Sequence, residues 1–279
     1  MRGQDFGITG EQLKIIAILL MVFDHIHQMF LFIAKFDLTW MSMLGRLVLP
    51  IFLFMCAEGF HYTHDRKKYL LRLGVSSVLM GIANQVIMTF FPLQDVVLTN
   101  NAFCTMFVSA VVMYGIEKMK DGKIIKGPLF FLLPALPMML SILAVQSYNI
   151  LLARVSLILP SYNTGDGGML AVALCVALYL LRQKRWAQYA AIACVSLLAT
   201  GFQFTGLFST NYEWMMVFSI FPIMLYNGKR GGGFKVFLLC FLSIPHLRLV
   251  FSGVLYFHSF RKVRSKACLL REEKHANLV

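Results

Sequence analysis

The ionisable residues Lys14, Asp24 and His25 lie within the first long apolar stretch of the chain. Ionisable side chains are costly inside a lipid bilayer, so each of them marks a candidate functional site. Lys14 and His25 are eleven residues apart, a spacing that returns an α-helix to nearly the same face about 16 Å further along its axis. The sequence therefore predicts one polar stripe on the first helix, with a cation at one end and an imidazole, a ready acid or base, at the other.

Asp24 adjoins His25 in the sequence but points about 100° away from it on a helix. Its carboxylate is therefore predicted to face a neighbouring helix. Arg46, in the second apolar segment and at a similar predicted depth, is its natural partner. His25, Asp24 and Arg46 together form the candidate catalytic group, and a purely structural ion pair between Asp24 and Arg46 is the alternative.

Further polar side chains are predicted at the same level of the membrane. Asn84 and Gln85 lie near the end of the third apolar segment, and Asn101 and Thr105 lie at the start of the fourth. Asp166 comes just before the sixth segment, where it could bind an acceptor or cap the helix that follows. These residues are candidates for an acceptor or oxyanion site, and the alternative is that the amides only bind helices together.

A group of cations follows the second apolar segment. Arg66, Lys68 and Arg72 are predicted to form a mouth that binds a phosphorylated ligand, with Lys14 and Glu58 as further candidates. The alternative is that these charges only set the orientation of the chain in the membrane. The histidines nearby lack other ligand types at a metal-binding spacing, so no metal site is predicted.

The composition shows what kind of elements must position these residues. Of the 279 residues, 58% are hydrophobic and 14% are charged, whereas a soluble domain has about 25% charged residues. The net charge of +13 is concentrated in alternate hydrophilic gaps, as the positive-inside rule predicts for a polytopic membrane protein. Composition thus excludes a soluble enzyme, a disordered chain and a disulfide-stapled secreted module, and no nucleic-acid partner is expected.

Nine apolar segments are predicted to cross the bilayer, at residues 12–33, 41–62, 69–91, 101–117, 127–145, 167–182, 186–203, 213–227 and 235–258. We expect an all-α, polytopic transmembrane helix bundle of nine or ten spanning helices, a single domain over residues 1–279, with a cytoplasmic N-terminus. A tenth crossing would keep the basic tail at about 261–279 in the cytoplasm. Pro245 could divide the last segment, and His246 beside it is a secondary candidate for contact with the acceptor. The predicted location is the bacterial plasma membrane.

Four blocks of the sequence resemble the TraX family of membrane proteins, which is associated with acetylation of the pilin N-terminus. The blocks are Leu13–Ala17 with Phe23–Ile26, Gly45–Phe52, Glu58–Phe60 with Arg66–Arg72, and Leu225–Gly231, and the resemblance runs from about Leu13 to Phe257.

TraX proteins are similar to a wider group of transmembrane acyltransferases, which includes the lysosomal heparan glucosamine N-acetyltransferase and bacterial polysaccharide O-acetyltransferases. Many of the latter carry an arginine and a histidine on the first helix with the spacing of Lys14 and His25. The resemblance implies that His25 is the catalytic residue and that acetyl-CoA is the acetyl donor.

The resulting hypothesis is an acetyltransferase embedded in the membrane. It would take acetyl from cytoplasmic acetyl-CoA, whose pantetheine arm follows a corridor along the first helix to His25. The acceptor would be an amine or hydroxyl at the outer side, on pilin or on a surface glycan. His25 would act as general base, and Arg46, Asn84 or Gln85 would stabilise the oxyanion. A transporter or flippase that binds a polar solute in the same layer is the alternative, and a structural pilus-assembly partner is a third reading.

Overall fold

The computed structural model describes residues 7–30, 38–90, 101–203, 205–208 and 211–231. The predicted ninth span at 235–258, His246 within it and the basic tail at about 261–279 lie outside the described residues. Within the described ranges the chain forms helices and no strand, so the all-α prediction is confirmed for that part of the chain.

The described residues form eleven α-helices and one 3₁₀ helix. In chain order they are α1 (Gly10–Phe30), α2 (Thr39–Gly45), α3 (Val48–Tyr62), α4 (Arg66–Phe90), α5 (Ala102–Lys120), α6 (Lys126–Leu132), α7 (Ala135–Gln146), α8 (Ile150–Ile158), α9 (Gly168–Leu180), α10 (Arg185–Ala199), the 3₁₀ helix (Glu213–Ser219) and α11 (Ile220–Met224).

Three helical segments of the described chain are long and apolar enough to cross a membrane. They are Thr39–Tyr62, which comprises α2 and α3, Ala102–Lys120, which is α5, and Lys126–Gln146, which comprises α6 and α7. The last segment has a mean hydropathy of 2.2, yet only 11% of its apolar window is buried inside the protein. Its apolar side chains therefore face outward, as they would toward lipid. The number of crossings and the side of the N-terminus stay predictions.

Prolines explain why two predicted spans are each divided into two helices. Pro50 has no N–H to donate to the carbonyl of Arg46, four residues earlier. The N–H groups of Arg46 and Leu47 bond to carbonyls three residues back, at 3.3 and 3.2 Å, which tightens the chain between α2 and α3. Pro137 stands in the same position relative to the end of α6. Arg46 is thereby placed at a turn rather than within a continuous helix.

α3 lies at the centre of the bundle, where it packs against α1, α5 and α9. Nine of its fifteen residues are buried, and Ile51, Leu53, Phe54 and Phe60 have no exposed surface. Burial of each such side chain contributes about 1.5–3 kcal/mol. The central position of α3 sets the depth of the residues at both of its ends.

The two ends of the bundle differ in charge. We call the basic end the one at which α1, α4 and α10 begin and α3, α5 and α9 end; Arg66, Arg182, Arg185 and Arg230 lie there. The positive-inside rule predicts that this end faces the cytoplasm.

The segment before α1 is held at the basic end by main-chain hydrogen bonds to the segment after α11. The N–H of Ile8 donates to the carbonyl of Leu225 (2.8 Å), and the N–H of Asn227 donates to the carbonyl of Ile8 (3.0 Å). The N–H of Gly10 donates to the carbonyl of Lys229 (2.8 Å). The start of α1 and residues 225–229 thus form one connected unit.

Candidate active site

A cavity of about 490 Å³ lies between α1, α2, α3, α5, α9 and α10, toward the end of the bundle opposite the basic end. Five ionisable side chains line it, and most of the other lining residues are apolar. The five are Asp24, His25, Arg46, Asp166 and Glu213. A concave, mostly apolar site with a few convergent polar groups is the usual form of a small-molecule or active site. We call it the His25 cavity.

α1 supplies the imidazole and the first carboxylate of this cavity. It runs unbroken from Gly10 to Phe30, so Asp24 and His25 lie in its last third. His25 is 9% exposed and lines the cavity, as does Met21 one turn earlier. An imidazole at the edge of a mostly apolar cavity can take a proton from a bound substrate and return it.

A hydrogen-bond network joins three of the charged residues through Ser42. The Ser42 hydroxyl donates to Asp24 Oδ1 (2.9 Å), and Arg46 Nη2 lies 3.4 Å from Ser42 Oγ. Arg46 Nη1 forms an ion pair with Glu213 Oε1 at 3.0 Å. The Arg46 guanidinium also lies over the ring of Tyr212, 5.2 Å from its centroid. The ion pair of Arg46 is therefore with Glu213, and Asp24 is linked to Arg46 through the serine.

Gly45 allows α1 and α2 to approach at this network. A Cβ atom added at Gly45 would lie 2.5 Å from Asp24 Cβ and 2.8 Å from Asp24 Oδ1, closer than a side chain tolerates. The glycine beside Arg46 is thus needed for the position of Asp24.

Asp166 reaches the His25 cavity from the loop between α8 and α9. Its Oδ1 accepts a hydrogen bond from the N–H of Asn101 (3.2 Å), and its carbonyl accepts one from the Thr105 hydroxyl (2.8 Å). The N-cap of α9 is Gly167, with φ +70°, rather than Asp166. Burial raises the pKa of Asp166 to about 6, although the Asn101 N–H and the charge of Arg46 oppose that rise.

The predicted amides lie in a second, smaller cavity of about 40 Å³. Asn84, Gln85 and Asn101 line it together with Asn163 and Thr164. None of these five side chains lines the His25 cavity. Asn84 and Gln85 thus line a different cavity from His25, and Arg46 is the candidate oxyanion residue that lines the same cavity as the imidazole.

Arg66 is engaged by other protein groups at the basic end. Its Nε and Nη2 donate to the Glu117 carboxylate at 3.0–3.3 Å, and its Nη1 donates to the carbonyls of Phe60, His61 and Thr63. All its donor nitrogens are taken up by these acceptors. Arg66 therefore joins α3, α4 and α5, and a phosphate would have to displace these bonds to reach it.

Glu58 is likewise part of an ion pair. Its Oε1 accepts from Arg182 Nε at 3.1 Å, and its side chain is 3% exposed. Arg182 also bonds to the Tyr62 hydroxyl at 2.5 Å. The buried Oε2 of Glu58 has no hydrogen-bond partner among the described residues, which leaves one acceptor site open at the basic end.

The remaining predicted phosphate ligands are exposed or half-buried. Lys68 pairs with Asp65 at 3.3 Å on the surface, and Arg72 is exposed on α4. Lys14 is half-buried in the second turn of α1, within electrostatic range of Glu11 and Arg230.

The His25 cavity does not extend to these basic residues within the described chain. Nearer the basic end, α1, α3, α9, α10 and α11 carry side chains that are at most 5% exposed. These are Ile18, Phe54, Leu178, Ile192 and Ile223, which we call the apolar layer. All five belong to one buried apolar cluster, and the continuous corridor expected from the sequence stays a prediction. Ile18 stands between Lys14 and His25 on α1, and the other four residues of the apolar layer come from four other helices.

Glu213, Ser42 and Tyr212 are members of the site that the sequence analysis missed. Glu213 begins the 3₁₀ helix and ends a gap poor in basic residues. Its position at the start of an apolar segment, at the level predicted for Arg46, is the signal that could have identified it.

Comparison with known proteins gives a family and one partial relative. Residues 9–254 match the family model described as TraX protein. A probable fimbrial assembly protein FimC, serogroup H1, from Dichelobacter nodosus is 40% identical over 70 residues, which are 25% of this chain and 29% of that protein. The matched segment thus spans less than a third of that relative's length. No solved structure matches the chain.

Proposed function

The chain belongs to the TraX family, and we propose that it is an integral membrane acyltransferase that moves an acetyl group from acetyl-CoA to an amine or hydroxyl acceptor at the outer side. The observation that carries this proposal is the His25 cavity, in which a buried imidazole, a guanidinium and three carboxyl groups converge. The family's association with pilin acetylation and the fimbrial assembly relative favour a pilin amine as the acceptor.

The chemistry needs one base and one oxyanion stabiliser. His25 takes a proton from the acceptor nucleophile as the nucleophile attacks the carbonyl carbon of the thioester. The negative charge that forms on the carbonyl oxygen is stabilised by Arg46, an interaction worth several kcal/mol in a dry site. The carbon–sulfur bond then breaks, and the imidazolium of His25 returns the proton to the departing thiolate. The products are the acetylated acceptor and CoA.

The charge balance of the cavity favours an amine over a hydroxyl. Asp24, Asp166 and Glu213 supply three carboxyl groups, and Arg46 neutralises one of them. The remaining negative potential attracts a protonated amine. Such an amine releases one proton to solvent before it attacks, and His25 takes the second proton during the attack and returns it to the thiolate.

The apolar layer must open before a thioester from the basic end reaches His25. Side chains of four α-helices and the phenyl ring of Phe54 belong to the same buried cluster, and motions of protein segments that admit a substrate are a common step in enzymes. We infer that donor entry is a gated step, separate from acceptor entry at the opposite end.

A cavity toward one end of the bundle, with an apolar layer nearer the other end, also fits a transporter, which is the second candidate. In alternating access, a midplane site is open to one side while a packed layer closes the other. A transporter would bind its solute without breaking a covalent bond.

A measurement of acetyl transfer distinguishes the acetyltransferase from the transporter. Purified protein in lipid nanodiscs is given radiolabelled acetyl-CoA and a peptide with a free amino terminus, and label on the peptide is counted. We expect transfer by the wild type and a loss of about 10²–10⁴-fold for His25→Ala, the usual contribution of a general base.

His61→Ala is the matched control, because His61 is exposed at the basic end and plays no part in the proposed chemistry. Equal transfer by wild type and His25→Ala would remove His25 from the mechanism. If neither the wild type nor the variants consume acetyl-CoA, a transporter is the better description of the protein.

A further inference from the structure

Arg185 is a cation at the basic end that no carboxylate of the described residues holds in an ion pair. Its guanidinium lies over two aromatic rings, 5.2 Å from the centroid of Phe54 and 5.7 Å from that of Tyr226. Its side-chain hydrogen bond is to the amide oxygen of Gln188 (3.3 Å). Aromatic faces attract the cation but do not neutralise it.

The other half-buried arginines at this end are neutralised. Arg66 holds Glu117, and Arg182 holds Glu58. Arg185 also occupies the first helical position of α10, after Lys184 at the N-cap, where cations are disfavoured by the helix dipole. A half-buried arginine that is kept in such a place without a carboxylate indicates that an anion from outside the described chain binds there.

Tyr226 brings Arg185 next to the start of α1. Its ring lies against Gly10, where an added Cβ would be 3.5 Å from Tyr226 Cε2 and 3.6 Å from the carbonyl oxygen of Arg230. Lys14, in the second turn of α1, is within electrostatic range of Arg230. The loop that carries Arg230 is anchored by the hydrogen bond from the N–H of Gly10 to the carbonyl of Lys229.

We call this group, which consists of Lys14, Arg185, Tyr226, Lys229 and Arg230, the Tyr226 cluster. Glu11 lies within electrostatic range of Lys14, and Glu58, which is paired with Arg182, lies within electrostatic range of Tyr226. Several guanidinium and ammonium groups around one point are the usual recognition set for phosphate.

We propose that the Tyr226 cluster binds the phosphate groups of a soluble phosphorylated ligand. The identity of that ligand rests on the proposed function, under which it is the nucleotide end of acetyl-CoA. This assignment moves the donor entrance from Lys68 and Arg72 on α4 to the junction of α1, α10 and residues 226–230.

The position of Phe54 gives the cluster a place in the reaction. Phe54 belongs to the apolar layer and lies directly under the Arg185 guanidinium. A ligand anchored at Arg185 therefore rests on the basic face of that layer, on the side of the layer opposite the His25 cavity.

The test measures binding of CoA, dephospho-CoA and adenosine 3′,5′-bisphosphate to purified protein in neutral nanodiscs, by calorimetry. We expect Arg185→Gln to weaken the binding of CoA and of the bisphosphate by at least about tenfold, a loss of about 1.4 kcal/mol in binding free energy. Arg185→Lys, which keeps the charge, should retain part of the affinity. Lys123→Ala is the control, because Lys123 is an exposed cation in another basic loop and its removal should change nothing. The melting temperature of each variant is recorded without ligand, so that a folding defect is recognised.

Each outcome of this test supports or overturns the proposed phosphate site. If wild type and Arg185→Gln bind CoA equally, the Tyr226 cluster is not the phosphate site, and the proposed function stands. If the wild type binds none of the three compounds, both proposals fail. If Arg185→Gln loses binding to phosphatidylglycerol vesicles but not to CoA, the cluster holds a lipid headgroup and the present proposal is overturned.

Discussion

Arg46 and Glu213 form an ion pair of 3.0 Å at the wall of the cavity that contains His25. The two residues are 167 positions apart in the sequence, and they join the turn between α2 and α3 to the 3₁₀ helix. Their side chains are 32% and 35% exposed, so the pair contributes little to folding, about 0–1 kcal/mol. The main effect of the ion pair is to fix the orientation of the Arg46 guanidinium.

We therefore predict that Glu213→Gln lowers activity far more than stability. The free energy of unfolding should change by less than about 1 kcal/mol, while kcat/KM for acetyl transfer should fall by about 10² as the oriented guanidinium is lost. Chemical unfolding and initial-rate assays on the same preparation check this. Asp121→Asn, which removes an exposed ion pair with Lys118 (3.2 Å) at the basic end, should alter neither quantity. A similar loss of activity in both variants would contradict a specific role for Glu213.

Gly45→Ala should disrupt the site by steric overlap. The new methyl group would lie 2.5 Å from Asp24 Cβ, so α1 and α2 must separate, at a cost of about 1–3 kcal/mol. The displacement also moves His25, and transfer activity should fall with stability. Gly59→Ala within α3 is the comparison, because the nearest atom there is the Tyr69 hydroxyl at 3.1 Å, which can shift. Equal stability of the two variants would show that the contact of Gly45 with Asp24 is not tight.

Asp166 should make stability depend on pH. Its pKa is about 6 in the folded protein and about 3.9 when unfolded, so between these values the folded state holds more protons. The free energy of unfolding contributed by Asp166 therefore decreases as the pH rises from about 4 to 6. The difference in melting temperature between wild type and Asp166→Asn should shift across that window, with the wild type losing relative stability toward pH 6. A difference that stays constant would mean that Asp166 titrates at its ordinary pKa.

Arg66→Met should destabilise the protein without weakening donor binding. The substitution leaves Glu117 without its guanidinium partner, and loss of such charge-assisted hydrogen bonds costs about 1.5–3 kcal/mol. Because every guanidinium nitrogen of Arg66 already donates to a protein acceptor, the dissociation constant of CoA should not change. Thermal melts and calorimetry measure the two effects. Weaker CoA binding at unchanged stability would restore Arg66 to the phosphate site.

The sequence predicts those parts of the site that depend on a single helix. Lys14, Asp24 and His25 lie on one unbroken α1, so their order and spacing follow from helix geometry. The residues that surround them do not follow from helix geometry. Periodicity does not say which helices are neighbours, and Glu213 reaches Arg46 only because the 3₁₀ helix packs beside α2 and α10.

Depth estimates fail where helices do not end at the same level. Counting from the end of α4 places Asn84 and Gln85 beside His25, as the sequence analysis expected. In the structure the amide of Asn101, at the start of α5, bonds to the carbonyl of Ser77 in the middle of α4 (3.0 Å). α5 therefore begins deep within the bundle, and the amides near the end of α4 lie in a cavity of their own.

The hydrogen bonds between the segment before α1 and residues 225–229 bear on the order of assembly. Gly7 and Asn227 are 220 positions apart and are joined by a hydrogen bond, so the segment before α1 completes its contacts only after nearly all of the described chain has been synthesised. Closing so long a loop carries an entropic cost that short-range contacts avoid. During biogenesis the start of α1 therefore lacks these partners until residues 225–229 have been made, and the ligand site proposed there can be completed only at a late step of folding.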